Sequence, residues 1–141
     1  MIKFKKLSDE AIIPQRQTKG AAGFDIYACI KDDSIFVHGG SYAVIDTKIA
    51  VEIPPGWVGL IQPRSGWAVN NGVDKMAGTI DSDYRGEIKV ILTKHDGGFF
   101  TVNDGDRIAQ LVVVPFMGES EEVSELSDTD RGEGGFGSTG Y

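Results

Sequence analysis

The turns of this chain constrain its fold most. Gly39-Gly40, Pro54-Pro55-Gly56, Asp96-Gly97-Gly98 and Asp104-Gly105-Asp106 punctuate the sequence at strand-length intervals, and glycine and proline supply the backbone angles that tight reversals need. The runs between them are short, apolar or alternating, and rich in β-branched and aromatic residues, which suits a pleated, half-buried surface. Strands are expected at Ile2 to Lys6, Phe24 to Cys29, Ser34 to Val37, Tyr42 to Ile53, Trp57 to Gln62, Glu87 to Leu92, Phe99 to Val102 and Arg107 to Phe116. No segment holds a 3.6-residue apolar period for the length of an ordinary helix, and one or two helical turns are expected around Trp67 to Asn71. The pattern is that of an all-β sandwich or barrel.

A chain of 141 residues with 40% hydrophobic content can bury a core as one domain. That domain is expected over residues 1–118, followed by an acidic, polar connector over 119–130 whose only apolar anchors are Val123 and Leu126, and a flexible tail over 131–141. A connector of that length could cross to a neighbouring subunit. The net charge of -7 argues against a surface that coats nucleic acid, so any phosphate binding must be local. Cys29 is the sole cysteine and His38 and His95 stand far apart, which excludes an intrachain disulfide and gives no spacing for structural zinc. Cys29 is expected to be a small buried residue. Neither a signal peptide nor a membrane span is expected, which places the protein in a reducing cytoplasm, or in the host cytoplasm if it is viral.

The tail, Arg131-Gly-Glu-Gly-Gly-Phe-Gly-Ser-Thr-Gly-Tyr141, cannot form a core. Glycine loses more backbone freedom on ordering than any other residue, so the tail is expected to stay mobile until a ligand orders it. Its backbone N–H groups, the Ser138 and Thr139 hydroxyls and the Arg131 guanidinium suit phosphate oxygens, and Phe136 offers a flat surface to a base. A mere spacer would need none of these. The segment is not a P-loop, which would end in Gly-Lys-Ser/Thr before a helix.

Four internal segments are weaker when taken singly. Gly20-Ala-Ala-Gly-Phe-Asp25-Ile-Tyr-Ala28 places a carboxylate in a strand, where a turn aspartate is the plainer reading. Pro63-Arg64-Ser65-Gly66 puts a cation and a hydroxyl at a helix start, which suits an anion and equally suits an ordinary polar turn. In Gly78-Thr79-Ile80-Asp81-Ser82-Asp83-Tyr84-Arg85-Gly86-Glu87, strand alternation would turn Asp81 and Asp83 to one face, for chemistry or as a solvated hairpin paired with Arg85. Gln110 interrupts the apolar strand that runs into Val112-Val-Val-Pro115, as a satisfied core amide or as a ligand-facing donor.

In this order and spacing, the five segments resemble the five motifs of the trimeric dUTP diphosphatases (dUTPases), over about Gly20 to Gly140. The resemblance implies a β jelly roll assembled as a homotrimer, with three active sites at subunit interfaces, each built from all three chains. It implies hydrolysis of dUTP to dUMP and pyrophosphate, with Asp81 as the general base for water attacking the α-phosphorus, a role an ionised carboxylate can fill by accepting a hydrogen bond from that water. Asp83 would be structural or charge-balancing, and Tyr84 would pack against the deoxyribose and exclude a 2′-hydroxyl. Uracil would be read by the backbone of a hairpin from about Val73 to Ile80, including Gly78 and Thr79. Some relatives carry an asparagine in this hairpin; here Asp74-Lys75-Met76-Ala77 offers none.

By the same resemblance, Arg64, Ser65 and Gly66 bind phosphate, Gln110 holds the α-phosphate region, and Lys89 belongs to the substrate site. Arg131 reaches the γ-phosphate and Phe136 stacks on uracil, with Gly137 and Ser138 beside it. Mg²⁺ is implied with substrate phosphates as its direct ligands and Asp25 contacting it through water. Neither nucleic acid nor a membrane is expected as a partner. Two other readings remain at this point, a dCTP deaminase of the same superfamily and a dUTP-sensing binding protein with a regulatory partner.

Overall fold

The computed structural model describes residues 1–31 and 34–135. Their strands are β1 (Lys3–Lys6), β2 (Phe24–Tyr27), β3 (Ile35–His38), β4 (Tyr42–Glu52), β5 (Trp57–Gln62), β6 (Val73–Met76), β7 (Thr79–Ile80), β8 (Glu87–Lys94), β9 (Phe99–Val102) and β10 (Arg107–Pro115), with one helix, α1 (Ser65–Asn71). One four-stranded sheet has the order β1-β4-β8-β6, a second β2-β10-β5-β7, and β3 and β9 form a two-stranded ribbon. Every strand pairing within these sheets is antiparallel. Sheet neighbours are mostly distant in sequence, so the chain crosses repeatedly between sheets, and the all-β jelly-roll expectation holds.

The inward faces carry the branched aliphatics that sequence alternation selects. Ile45, Ile49 and Val51 of β4, Ile88, Val90 and Leu92 of β8, Ile26 of β2, Ile61 of β5 and Ile108 and Leu111 of β10 are buried together. Cys29 is buried at their edge as expected, and desolvation raises its thiol pKa above the ordinary value. Among the described residues Lys94 is the buried cation. Its ammonium donates to the Asn71 carbonyl at 2.7 Å and pairs with Asp96, tying the C-terminal end of α1 to the end of β8. No helix among the described residues is long and apolar enough to cross a membrane.

Several expected strands differ by one or two residues at their ends, as where Phe24 to Cys29 stops at Tyr27 and Ser34 to Val37 becomes Ile35–His38, and three further differences stand out. The helix begins two residues early, at Ser65, and stops where Gly72 takes a left-handed conformation with φ 60°. The β8 strand runs on to Lys94. The segment from Val73 to Ile80 does not pair with itself as a hairpin: β6 joins β8 and β7 joins β5. It changes sheets at Ala77 and Gly78, whose φ values are 56° and 115°.

Gly78 is required twice over at that crossing. Its φ belongs to a region that L side chains rarely adopt, and a Cβ there would stand 2.8 Å from the Ile61 Cβ. Gly78→Ala is therefore expected to cost about 1–3 kcal/mol from strain and overpacking. This would appear as a fall in melting temperature of roughly 3–10 °C by thermal unfolding. An unchanged melting temperature would show that the crossing relaxes freely.

After β10 the chain leaves the sheets. Residues from Gly118 through Glu133 are exposed and belong to no strand or helix. Val123 and Leu126, expected to anchor the connector, are 52% and 87% exposed, so neither is anchored to its own domain.

Candidate active site

The sheet change at Ala77-Gly78 builds the site, because it carries β7 away from β6 and opens a pocket between them. This pocket, about 270 Å³ in volume, is lined by Gly78, Thr79, Ile80, Asp81, Tyr84 and Lys89, with Met76, Ala77, Glu87 and Ile91 completing the wall. Six of the residues expected from the sequence are thus brought to one place. Glu87 fell within a segment singled out in the sequence but was given no role, and Ile91 was not foreseen. Ile91 lies two residues beyond Lys89 along β8, the strand spacing that puts both side chains on one face.

Asp81 and Asp83 are not set on one face by strand alternation. The strand ends at Ile80, and Asp81 to Tyr84 form a turn closed by the Tyr84 N–H donating to the Asp81 carbonyl at 3.1 Å. Asp81 lines the pocket and Asp83 does not. Arg85 is not their charge partner; its guanidinium donates to the Ser82 and Tyr84 carbonyls at 2.7 and 2.9 Å. The Asp81 carbonyl is satisfied within the turn and the Ser82 and Tyr84 carbonyls by Arg85, while Asp81 lines the pocket.

The Tyr84 ring lies against Gly86, where a Cβ would stand 2.5 Å from the ring carbon Cζ. Its hydroxyl donates to the Glu87 carbonyl at 2.9 Å. The phenol proton is therefore committed to the protein, and what Tyr84 presents to a ligand is surface. Gly86 is a further requirement of the site that sequence reasoning missed, since its need for a hydrogen side chain depends on where a neighbouring ring comes to rest.

Charges around Lys89 are shared. Asp46 pairs with Lys89 and, at 2.6 Å, with Lys48. The hydrogen bond from Lys48, and then that from Lys89, holds the Asp46 carboxyl below its ordinary pKa, while the bond to Asp46 raises the pKa values of Lys48 and Lys89. Lys89 is thus a fixed cation at the pocket wall.

A second group forms at the ends of β2, β5 and β10. Gln110 stands opposite Asp25 on one side and Gln62 on the other. Its amide nitrogen donates to the Pro63 carbonyl at 3.2 Å, so it braces the loop that carries Arg64. A Cβ on Gly23 would come within 3.0 Å of the Gln110 Cβ, which explains the small residue there. Arg107 pairs with Asp25 at 3.2 Å, and Arg64 donates to the Arg107 carbonyl at 2.9 Å while lying 5.8 Å from the centre of the Trp67 ring. Ser65 and Gly66 open α1 and are exposed.

None of Asp25, Arg64, Ser65, Gly66 and Gln110 lines the Asp81 pocket. Arg131 is separate again. It lies in an exposed turn, with its Nε donating to the Gly134 carbonyl at 2.8 Å. Phe136, Gly137 and Ser138 lie outside the described residues. One chain therefore holds the expected residues in separate groups.

A family model described as dUTPase matches residues 9–140. The deoxyuridine 5'-triphosphate nucleotidohydrolase of Nautilia profundicola is 49% identical over 142 residues, covering 99% of this chain and 98% of the relative. Among solved structures, the dUTPase of Staphylococcus bacteriophage 80alpha with dUPNHPP superposes with a TM-score of 0.87 at 32% identity, covering 100% of this chain and 99% of that one. A dUTPase of phage phi11 of S. aureus, described for its coordination of a structural Mg(II) ion, gives a TM-score of 0.81 at 27% identity over 91% of this chain and 99% of that one. A family match spanning nearly the whole sequence, joined to a close relative of the same length, leaves one assignment: the chain belongs to the dUTPase family of hydrolases.

Proposed function

We propose that this protein hydrolyses dUTP to dUMP and pyrophosphate, with Asp81 accepting a proton from the water that attacks the α-phosphorus. The observation that carries this reading is the convergence of Asp81, Tyr84, Lys89 and the Gly78-to-Ile80 backbone on one pocket. At about 270 Å³ the pocket is small, just below the range typical of small-molecule sites, so it suits a base and sugar better than a whole nucleoside triphosphate. The phosphates would extend beyond it, toward Arg64, Ser65, Gly66, Gln110 and Arg131 of neighbouring copies in a homotrimer.

Each group contributes something specific. The backbone around Gly78 can approach a uracil ring closely because no side chain intervenes at that residue. The Tyr84 ring, fixed by Gly86 and the Glu87 carbonyl, excludes a 2′-hydroxyl by bulk. Arg131 and the tail residues Phe136, Gly137 and Ser138 supply a γ-phosphate partner, a stacking ring and phosphate donors, and exclusion of bulk water by the tail would strengthen the charge interactions inside.

The residues present suit Mg²⁺ held by the substrate. Among the described residues no group of three or more His, Cys, Asp or Glu side chains could hold an ion, and Asp25 already shares one carboxylate oxygen with Arg107. Such a donor set fits contact through water, with triphosphate oxygens as the direct ligands. When bound, the ion would neutralise charge developing on the pyrophosphate leaving group.

Pyrophosphate and ammonia release from dUTP, dCTP, dTTP and UTP tests the reading. Pyrophosphate from dUTP alone is expected, whereas ammonia from dCTP would identify a deaminase, and nucleotide binding without turnover would identify a sensor. In the same assay Tyr84→Ala is expected to raise UTP turnover relative to dUTP by roughly 10- to 100-fold, the scale on which a steric pocket discriminates one hydroxyl. An unchanged preference would place sugar discrimination elsewhere.

A further inference from the structure

The β4 strand is irregular where it pairs with the pocket-lining end of β8. Asp46 pairs with Lys89 and Ala50 with Glu87, so Thr47, Lys48 and Ile49 face Ile88 alone, and Lys48 has φ 53°. This bulge takes the Thr47 and Lys48 N–H groups off the ladder, and buried backbone donors need partners. Both donate to one Glu87 carboxylate oxygen, at 3.2 and 2.9 Å. The other oxygen lies 3.4 Å from the Lys48 ammonium and 3.6 Å from that of Lys89. The Glu87 side chain is 16% exposed, so these bonds form largely out of water.

The same residue's carbonyl accepts the Tyr84 hydroxyl at 2.9 Å. Residue 87 is the first of β8 and lies at the end of the register shift, so its carboxylate restores the cross-strand bonds that the bulge has removed. We infer that Glu87 is a positioning residue for sugar discrimination: its carboxylate, anchored on the β4 amides, fixes the carbonyl that holds Tyr84. This rests on the dUTP reading above. Glu87 also lines the pocket wall, and its part in discrimination is to act through Tyr84.

The test compares Glu87→Ala, Glu87→Gln and Thr47→Val in the full-length protein. Glu87→Ala is expected to lower the dUTP/UTP preference about tenfold, mainly through a fall in KM for UTP while KM for dUTP changes little, because a loosened Tyr84 no longer excludes the 2′-hydroxyl. Glu87→Gln keeps an oxygen that accepts both N–H groups and is expected to restore most of that preference. Thr47→Val keeps the backbone N–H that Glu87 accepts but removes the hydroxyl that donates to the Ile88 carbonyl and accepts from the Ile49 N–H, and it is expected to lower the melting temperature with the preference intact. Without any nucleotide, the Tyr84 ring NMR signals, assigned by Tyr84→Phe, should shift in Glu87→Ala and not in Thr47→Val.

Should Glu87→Ala fail to fold, Glu87→Asp, one methylene too short for both amides, is expected to show the same loss. The inference is overturned by a preference within twofold of wild type in Glu87→Ala or its Asp substitute. It is equally overturned by a glutamine variant as impaired as alanine, or by an equal loss in Thr47→Val. A wild-type protein that does not hydrolyse dUTP would defeat the functional reading, and the ring signals would still decide whether Glu87 holds Tyr84.

Discussion

Replacing Asp81 by asparagine is expected to lower dUTP turnover by roughly 10²- to 10⁴-fold, the usual cost of removing a general base. The amide has nearly the same size but cannot take a proton from water. Affinity for dUTP should change little, because Asp81 lines the pocket from an exposed turn at its edge and is assigned to the attacking water rather than to the base. Folding should also be preserved, since the turn is closed by the residue's backbone carbonyl and substitutions at such surface positions are usually within about ±0.5 kcal/mol. Single-turnover kinetics with a binding measurement separate these effects. Asp83→Asn is the control: Asp83 does not line the pocket, and its substitution should cost far less. An Asp81→Asn protein with turnover within about tenfold of wild type would remove Asp81 from the role.

The strands were largely legible because turn residues and alternation are local signals. Trp57 to Gln62 and Phe99 to Val102 end where their flanking Pro, Gly and Asp residues say they should. The change of sheet at Ala77 was not legible, since alanine gives no sign that it will adopt φ 56°. The Asp81–Asp83 turn was misjudged for a related reason: alternation presumes a strand, and no residue there forbids one. Individual site residues could be named from motif resemblance. Their separation into a pocket around Asp81, a group around Gln110 and an exposed turn at Arg131 could not, because it depends on which strand ends the fold brings together. Gly86 and Glu87 lay in a singled-out segment without roles, because those roles exist only in three dimensions, one as room for a ring and the other as a cap on a bulge in a distant strand.

Activity is expected to reappear when two inactive variants, Asp81→Asn with its tail intact and a chain truncated before Arg131, are unfolded and refolded together. The connector over residues 119–130 can span about 40 Å when extended, enough to carry the tail across a neighbouring subunit, and its apolar Val123 and Leu126 are exposed on their own domain. In a cyclic trimer each site would take Asp81 from one chain and the tail from another. Random assembly of equal amounts then places an intact Asp81 beside an intact tail in about a quarter of the sites, and every mixed trimer holds one such site. Simple mixing of preformed trimers should restore nothing until subunits exchange. The amount recovered distinguishes this architecture from a site completed within one chain, for which no mixture of these parents can be active. Co-refolded mixed trimers, confirmed by mass and as inactive as either parent, would show that Asp81 and the tail act from the same chain, and would leave the Asp81→Asn result to stand on its own.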